Sequence, residues 1–85
     1  MTSEEIEQLV QDSLDLAEVR VSLEGGHASV IAVSERFADM SRVKKQQLVY
    51  GPLKPMITSG ELHAVSIKTY TPVEWQRQKK LGMLS

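Results

Sequence analysis

The chain has 85 residues, a formal net charge of −1 and no cysteine. A chain of this length forms one domain and buries about 60–65% of its unfolded surface, which leaves no room for a deep substrate cavity beside the core. Without cysteine, the chain by itself makes no disulfide, thiolate metal site or thiol nucleophile. The small net charge argues against a dedicated nucleic-acid binder, because phosphate neutralisation supplies most non-specific affinity for nucleic acids.

Hydropathy and the N-terminal residues predict where the protein works. No stretch is apolar over a length sufficient to span a bilayer. The acidic start from Met1 to Glu5 lacks the apolar segment of a secretory signal, so we expect a cytoplasmic protein with no membrane partner. The serines form no nucleophile-elbow pattern, so we expect no enzyme. We expect one domain over residues 1–85, with a flexible tail from about 79 to 85.

The first predicted element is an N-terminal helix. Thr2 is suited to cap it, and Glu5, three residues later, closes a capping box. Acids in the first turn also suit the positive end of the helix dipole. An apolar stripe follows at helical spacing and consists of Ile6, Leu9, Val10 and Leu14.

Two strands and a glycine turn are predicted next. Residues Glu18 to Leu23 alternate between apolar and polar side chains, which is typical of a strand with one covered face. Gly25 and Gly26 break this strand, and the almost continuously apolar run from Ala28 to Val33 predicts a second strand. The two strands predict a β-hairpin whose connection contains His27.

A helical region with a break follows the hairpin. Residues Ser34 to Met40 predict a short helical turn that Phe37 anchors in the core. Ser41 is suited to cap a longer helix from about Arg42 to Ser59. Because proline removes a backbone donor and clashes with the preceding turn, the pair Gly51-Pro52 predicts a kink or a restart in this helix.

The last third of the chain predicts a strand and then a helix. Alternation along the β-branched strand places four side chains on one face, namely His63, Val65, Ile67 and Thr69. After the strand, Thr71 as N-cap, Pro72 at the first helical position and Glu74 at the third predict the start of a final helix.

The element order α-β-β-α-α-β-α predicts a small α+β domain of two layers. We expect a three-stranded mixed sheet with the helices on one face. The third strand should run parallel to one strand of the hairpin, because the chain returns to the sheet through a helical crossover.

Two histidines, His27 and His63, are the candidate metal ligands. Neutral imidazole is a common ligand for iron and zinc. Each histidine also has an ordinary interpretation: His63 as a side chain that hydrogen-bonds a carbonyl at a strand end, and His27 as a solvated loop residue. Structural zinc takes four protein ligands and catalytic zinc three, so a partner must complete any tight metal site.

A basic segment, Arg42-Val43-Lys44-Lys45, opens the predicted long helix. Its bases oppose the helix dipole, and such a local conflict is a mild indication of function. Three interpretations stay open for Arg42, Lys44 and Lys45: a solvated basic face, contact with a nucleic-acid backbone, or docking of an acidic partner or of glutathione carboxylates.

Three segments, taken in order, resemble the BolA-like family. They are Gly25-Gly26-His27 with the strand that follows, the run from Phe37 to Tyr50, and His63 followed by Thr71-Pro72-Val73-Glu74-Trp75. The run from Arg42 to Tyr50 with Gly51-Pro52 most resembles the branch called IbaG or YrbA in enterobacteria. The resemblance extends from about Ile6 to Trp75, and it implies a fold like that of a class II KH domain.

The resemblance also implies a function. In the BolA-like family, the histidine at the position of His63 is an iron ligand of a [2Fe-2S] cluster. That cluster is shared with a monothiol glutaredoxin, whose cysteine and bound glutathione supply thiolates. His27 is implied as a second ligand. We therefore expect an adaptor in iron–sulfur trafficking and stress response that carries no cluster when isolated.

The alternative is a KH-like nucleic-acid-binding transcriptional regulator that uses Arg42, Lys44 and Lys45. Some members of the family are described as DNA-binding regulators. KH domains that bind RNA use a Gly-x-x-Gly loop, however, and the sequence contains no such motif. A homodimer that forms through the third-strand region is a further association that the sequence allows.

Overall fold

The computed structural model describes the backbone of residues 2–84 and the side chains of residues 2–81. In chain order the elements are α1 (Ser3–Leu14), β1 (Glu18–Glu24), β2 (His27–Val33), a 3-10 helix (Glu35–Asp39), α2 (Arg42–Tyr50), a second 3-10 helix (Gly51–Leu53), α3 (Lys54–Thr58), β3 (Ala64–Tyr70) and α4 (Pro72–Leu84). This order confirms the predicted α-β-β-α-α-β-α domain.

Helix α1 begins with the predicted capping box. The hydroxyl of Thr2 accepts a hydrogen bond from the Glu5 main-chain N–H at 3.2 Å. Along the helix, Ile6 and Val10 are fully buried, but Leu9 is 37% exposed. Of the predicted apolar stripe, Ile6, Val10 and Leu14 are therefore the buried residues.

The three strands form one mixed sheet in the order β1-β2-β3. Strands β1 and β2 are antiparallel and form the predicted hairpin, in which Glu24 pairs with His27. Strand β3 is parallel to β2, in a register that pairs His27 with Ala64 and Val33 with Tyr70. The helical crossover between β2 and β3 thus gives the predicted parallel pairing.

The hydrophobic core lies between one face of the sheet and the helical layer. Ala28, Val30 and Ala32 of β2 are at most 1% exposed and lie at the centre of this face. The helical layer contributes Ile6, Val10, Leu14, Phe37, Val49, Leu53 and Met56. Full burial of one large aliphatic side chain contributes about 1.5–3 kcal/mol to stability. The buried side chains between the sheet and the helices therefore hold these two layers together.

The helical region breaks where the prolines predict. Helix α2 ends at Tyr50, and the chain passes through a 3-10 turn before α3 begins at Lys54. Pro52 and Pro55 each occupy the first turn of a new helical segment, where the missing N–H costs least. Leu53 and Met56 still face the core, so the restart keeps the buried side of the predicted long helix.

Trp75 of α4 covers one end of the sheet face opposite the core, which we call the open face. Its Nε1–H donates a hydrogen bond to a Glu18 carboxylate oxygen at 2.6 Å. The Trp75 ring centroid lies 5.5 Å from that of Tyr70. Glu18 and Tyr70 are the two register partners of Val33. The indole therefore lies over Val33, which is only 2% exposed.

Helix α4 begins as predicted but extends further than predicted. Thr71 donates its main-chain N–H to the Glu74 carboxylate at 2.8 Å, and its hydroxyl accepts from the Glu74 N–H at 3.3 Å. The frayed segment predicted from Lys79 is helical as far as Leu84. Lys79 forms an ion pair with Glu18 at 3.6 Å and lies 5.5 Å from the Trp75 ring centroid, which favours helix beyond the predicted boundary. Residue 85 lies outside the described residues.

Replacing Glu18 by glutamine should lower the free energy of unfolding at neutral pH by about 1 kcal/mol, because a neutral amide makes weaker hydrogen bonds to Arg20 and Trp75. The Arg20 side chain, with help from Trp75 and Lys79, holds the pKa of Glu18 below its ordinary value of 4.5. Ionised Glu18 therefore stabilises the fold above that pH, and this contribution is lost as the pH falls through the lowered pKa.

Urea unfolding at neutral pH and in acid measures this contribution. Glu24→Gln is the matched control, since Glu24 is exposed at the other end of the same strand. The difference in free energy of unfolding between wild type and Glu18→Gln should shrink in acid. An equal loss of unfolding free energy in Glu24→Gln would contradict this role, and so would a Glu18→Gln loss that stays the same in acid.

Candidate functional site

His63 lies immediately before β3 and is held there by the hairpin turn. Its main-chain N–H donates to the carbonyl oxygen of Gly26 at 2.9 Å, and the N–H of Ala64 approaches the same oxygen at 3.4 Å. The predicted strand start at His63 is one residue early, because the ladder with β2 begins at Ala64. The side chain of His63 is exposed although its backbone is fixed.

Gly26 lets the His63 ring lie directly against the turn. Gly26 has a φ of 85°, and a Cβ placed on it would lie 2.7 Å from His63 Cδ2. A Cβ placed on Gly25, which has a φ of 55°, would have no neighbouring atom within 4 Å. Both glycines suit the left-handed backbone, but only Gly26 is also required by the contact with the imidazole.

His27 is the first residue of β2 rather than a loop residue, which corrects its predicted position. Its Nε2 lies 2.9 Å from the hydroxyl oxygen of Ser66 on β3. Successive side chains of a strand point to opposite faces, so His27 lies on the open face. His63 lies in a bend before β3, and its main-chain N–H is directed at the same Gly26 carbonyl as that of Ala64, so strand alternation does not extend to it. The structure thus brings the two histidines to the same end of the sheet.

The ligand-type residues around these histidines are sparse. Within residues 2–84, no three side chains of the histidine, cysteine, aspartate and glutamate type come together in a group that suits a metal ion. His63 presents one exposed imidazole on a fixed backbone. Such an arrangement suits donation of a single ligand to a group whose other ligands belong to a second molecule.

Two of the three predicted basic residues share a recess with a third base from β3. Arg42 and Lys45 of α2 line this recess with Lys68 and Glu74. The Thr71 main-chain N–H bound to Glu74 holds the pKa of that carboxyl below its ordinary value, with smaller contributions from Lys45 and Arg77. Lys44 is exposed outside the recess.

Lys68 is the functional candidate that sequence reasoning missed. A single lysine in a strand carries no signal of its own, and only the packing of α2 beside β3 brings it near the start of α2. The alternation of β3 predicts that Lys68 points away from the core, but it does not predict which helix lies next to it.

The combination of fold and sequence segments matches a known family. A family model described as BolA-like protein matches residues 5–74. The chain therefore belongs to the BolA-like family. An Escherichia coli K12 relative named acid stress protein IbaG is 56% identical over 82 residues, which are 96% of this chain and 98% of that protein. The predicted family and its IbaG branch are thus confirmed.

Solved structures show the same fold. A bolA protein homologue from Coxiella burnetii superposes with a TM-score of 0.76 at 28% identity, over 89% of this chain and 97% of that one. The BolA domain of SufE1 from Arabidopsis thaliana gives a TM-score of 0.71 at 31% identity, over 85% and 93%. The predicted α+β class is confirmed. In the part of the chain that the structure describes, no helix has the length and apolar character to cross a membrane.

Replacing Gly26 by alanine should displace the His63 ring, because the new Cβ would overlap Cδ2. Gly25→Ala is the matched control, since it pays a similar backbone cost of about 1–2 kcal/mol for a positive φ without meeting the imidazole. NMR signals of the His63 ring should move in Gly26→Ala and stay in place in Gly25→Ala. Equal movement in the two variants would contradict the inferred contact.

Proposed function

We propose that this protein is an adaptor that binds a monothiol glutaredoxin and donates His63 as a ligand to a [2Fe-2S] cluster shared with that partner. The observation that carries the proposal is the exposed imidazole of His63, held at the start of β3 through the carbonyl of Gly26. Membership of the BolA-like family supports the same role.

An iron–sulfur cluster bound to this chain would have to be shared with another molecule, because of the composition of the chain. An iron–sulfur cluster is held mostly by thiolates, and this chain has no cysteine to supply them. The thiolates would come from the glutaredoxin cysteine and its bound glutathione, so the isolated protein would carry no cluster. Imidazole in place of thiolate raises the reduction potential of such a cluster. The contribution of this chain is then one imidazole on a backbone that the Gly26 carbonyl holds in place.

His27 is the weaker candidate for a second ligand. Its Nε2 already lies within hydrogen-bonding distance of Ser66. To serve beside His63, His27 would have to leave Ser66. The adjacent turn of Gly25 and Gly26 is the segment that would have to rearrange. We therefore assign the essential ligand to His63 and an optional one to His27.

The cellular role that we propose is cluster handling in the cytoplasm during stress. The Escherichia coli relative is named an acid stress protein, and the chain matches nearly all of it. In this role the protein orients and tunes a group that its partner carries and performs no catalysis of its own.

The nucleic-acid-binding alternative is less well supported. Arg42, Lys45 and Lys68 do converge on one recess. Lys44, which that alternative also needs, lies outside the recess, and the ionised Glu74 beside Lys45 reduces the local positive charge. The absence of a Gly-x-x-Gly loop removes the usual KH contact with a nucleic-acid backbone.

Titration of the protein into a monothiol glutaredoxin loaded with a [2Fe-2S] cluster tests the proposal. Visible absorption and circular dichroism should change in a saturable way with wild type and stay unchanged with His63→Ala. Because His63 is exposed, His63→Ala should retain the fold, which far-ultraviolet circular dichroism checks. His27→Ala is the matched control and should retain most of the change. A wild-type response from His63→Ala would overturn the assignment.

A nucleic-acid-binding role makes a different prediction. Affinity for a DNA duplex should then fall steeply with salt concentration, since each neutralised phosphate releases counterions. The double variant Lys44→Glu/Lys45→Glu should weaken that binding further. Undetectable or salt-insensitive binding near physiological ionic strength would end the alternative.

A further inference from the structure

The outer edge of β3 is a sheet edge that remains open to pairing. Within residues 2–84, no strand lies beyond β3 in the sheet. The Tyr70 carbonyl accepts from Ser34 N–H at 3.0 Å, and the Ala64 N–H points to the Gly26 carbonyl at 3.4 Å, so both residues direct their main-chain groups toward the β2 side. By the alternation of a strand, the main-chain groups of three residues project outward: Val65, Ile67 and Thr69.

The opposite edge of the sheet is partly covered. Helix α1 packs against β1. The carboxylate of Glu7 on α1 also accepts a hydrogen bond from the main-chain N–H of Val21 at 3.3 Å. One outward main-chain group of β1 is therefore occupied near the middle of that strand, where a further strand would have to pair.

A continuous groove runs along the β3 edge beside α2. It consists of two adjoining recesses that share Gln46 and Ile67. The recess nearer the start of β3 is lined by uncharged residues, namely Gln46, Gln47, Tyr50, Val65, Ser66 and Ile67. Val43, one helical turn before Gln46 and Gln47 on α2, is an exposed apolar side chain at 63%.

The far end of the groove carries positive charge. Arg42, Lys45 and Lys68 line it, together with Glu74. The Glu74 carboxylate accepts hydrogen bonds from Thr71 and belongs to the cap of α4. The three bases outnumber this single acid. The groove therefore combines an open strand edge, a neutral middle and a basic end.

We propose that an extended segment of a partner protein, neutral in its middle and acidic at one end, binds along the β3 edge as a fourth strand. Its main chain would pair with Val65, Ile67 and Thr69. Alternate side chains would enter the groove beside α2, and its acidic end would meet Arg42, Lys45 and Lys68. Strand addition of this kind takes affinity from main-chain pairing and specificity from alternate side chains. The proposal does not depend on the cluster or on His63.

Other occupants fit the groove less well. A second copy of the chain, paired β3 to β3 about a two-fold axis, would run antiparallel, so the basic end of each copy would lie beside the uncharged end of the other and would meet no acidic segment there. A nucleic-acid strand would be attracted by the three basic side chains, but its sugar-phosphate backbone carries no N–H donors that could pair along a strand edge. An acidic extended peptide can both pair with the open strand edge and complement the positive charge at the end of the groove.

The test uses the synthetic peptide Glu-Glu-Thr-Val-Thr-Val-Thr-Glu-Glu, labelled with fluorescein, because its acidic ends suit either strand direction. Fluorescence anisotropy should show saturable binding to the full chain. At saturation, hydrogen exchange of the amides of Val65, Ile67 and Thr69 should slow, while exchange of exposed amides outside the groove stays unchanged. Binding without protection of these three amides would overturn the proposal.

Two N-methylated versions of the peptide test main-chain pairing directly. One carries methyl groups on alternate residues, and the other on the complementary set. Only the set that faces β3 donates hydrogen bonds to it, so one version should lose binding and the other should keep it. Equal affinity of both versions would contradict strand addition.

Charge reversal at neighbouring positions tests the basic end. Lys45→Glu should weaken peptide binding about fivefold, the equivalent of about 1 kcal/mol for one partly screened charge pair. Lys44→Glu makes the same charge change one residue away but outside the groove, and it should have little effect. Equal losses in both variants would indicate diffuse attraction and contradict a groove. If a single-stranded oligonucleotide binds more tightly than the peptide and protects the same three amides, the groove is a nucleic-acid site and the peptide proposal is wrong.

Discussion

The carbonyl of Gly26 anchors the functional end of this molecule. It accepts from the N–H of His63 and lies close to that of Ala64, which joins the hairpin turn to the start of β3. These contacts lie next to the first pair of the parallel ladder, His27 and Ala64. The missing side chain of the same glycine makes room for the His63 ring. One residue of the turn therefore contacts both the start of β3 and the imidazole.

The two edges of the sheet have different surroundings, and so do its two faces. Glu7 occupies the main-chain N–H of Val21 on the β1 edge, whereas the edge at β3 faces an open groove. One face carries the core, and Trp75 covers only the end of the other, where Glu18 orients the indole. These contacts leave the histidine end and the β3 edge accessible. A partner can then engage one without unfolding the core.

Local signals predicted most of the fold. The capping boxes at Thr2 and Thr71 and the restart at Pro52 depend on residues close in the chain, so they were readable from the sequence. A helical stripe does not reveal how wide the buried face is, and Leu9 in the predicted stripe is 37% exposed. The prediction missed the continuation of α4, which is favoured by contacts of Lys79 with distant Glu18. The position of Lys68 in the recess depends on the packing of α2 beside β3, which brings together residues distant in the chain.

Hyperfine spectroscopy of the reduced, shared cluster tests the central claim most directly. This protein, labelled with nitrogen-15 only at histidine, would be mixed with an unlabelled glutaredoxin that carries the cluster. The account predicts a nitrogen-15 coupling from this chain that is absent in His63→Ala and retained in His27→Ala. A cluster that forms in the mixed complex without any nitrogen-15 coupling, or with one that survives His63→Ala, would contradict it.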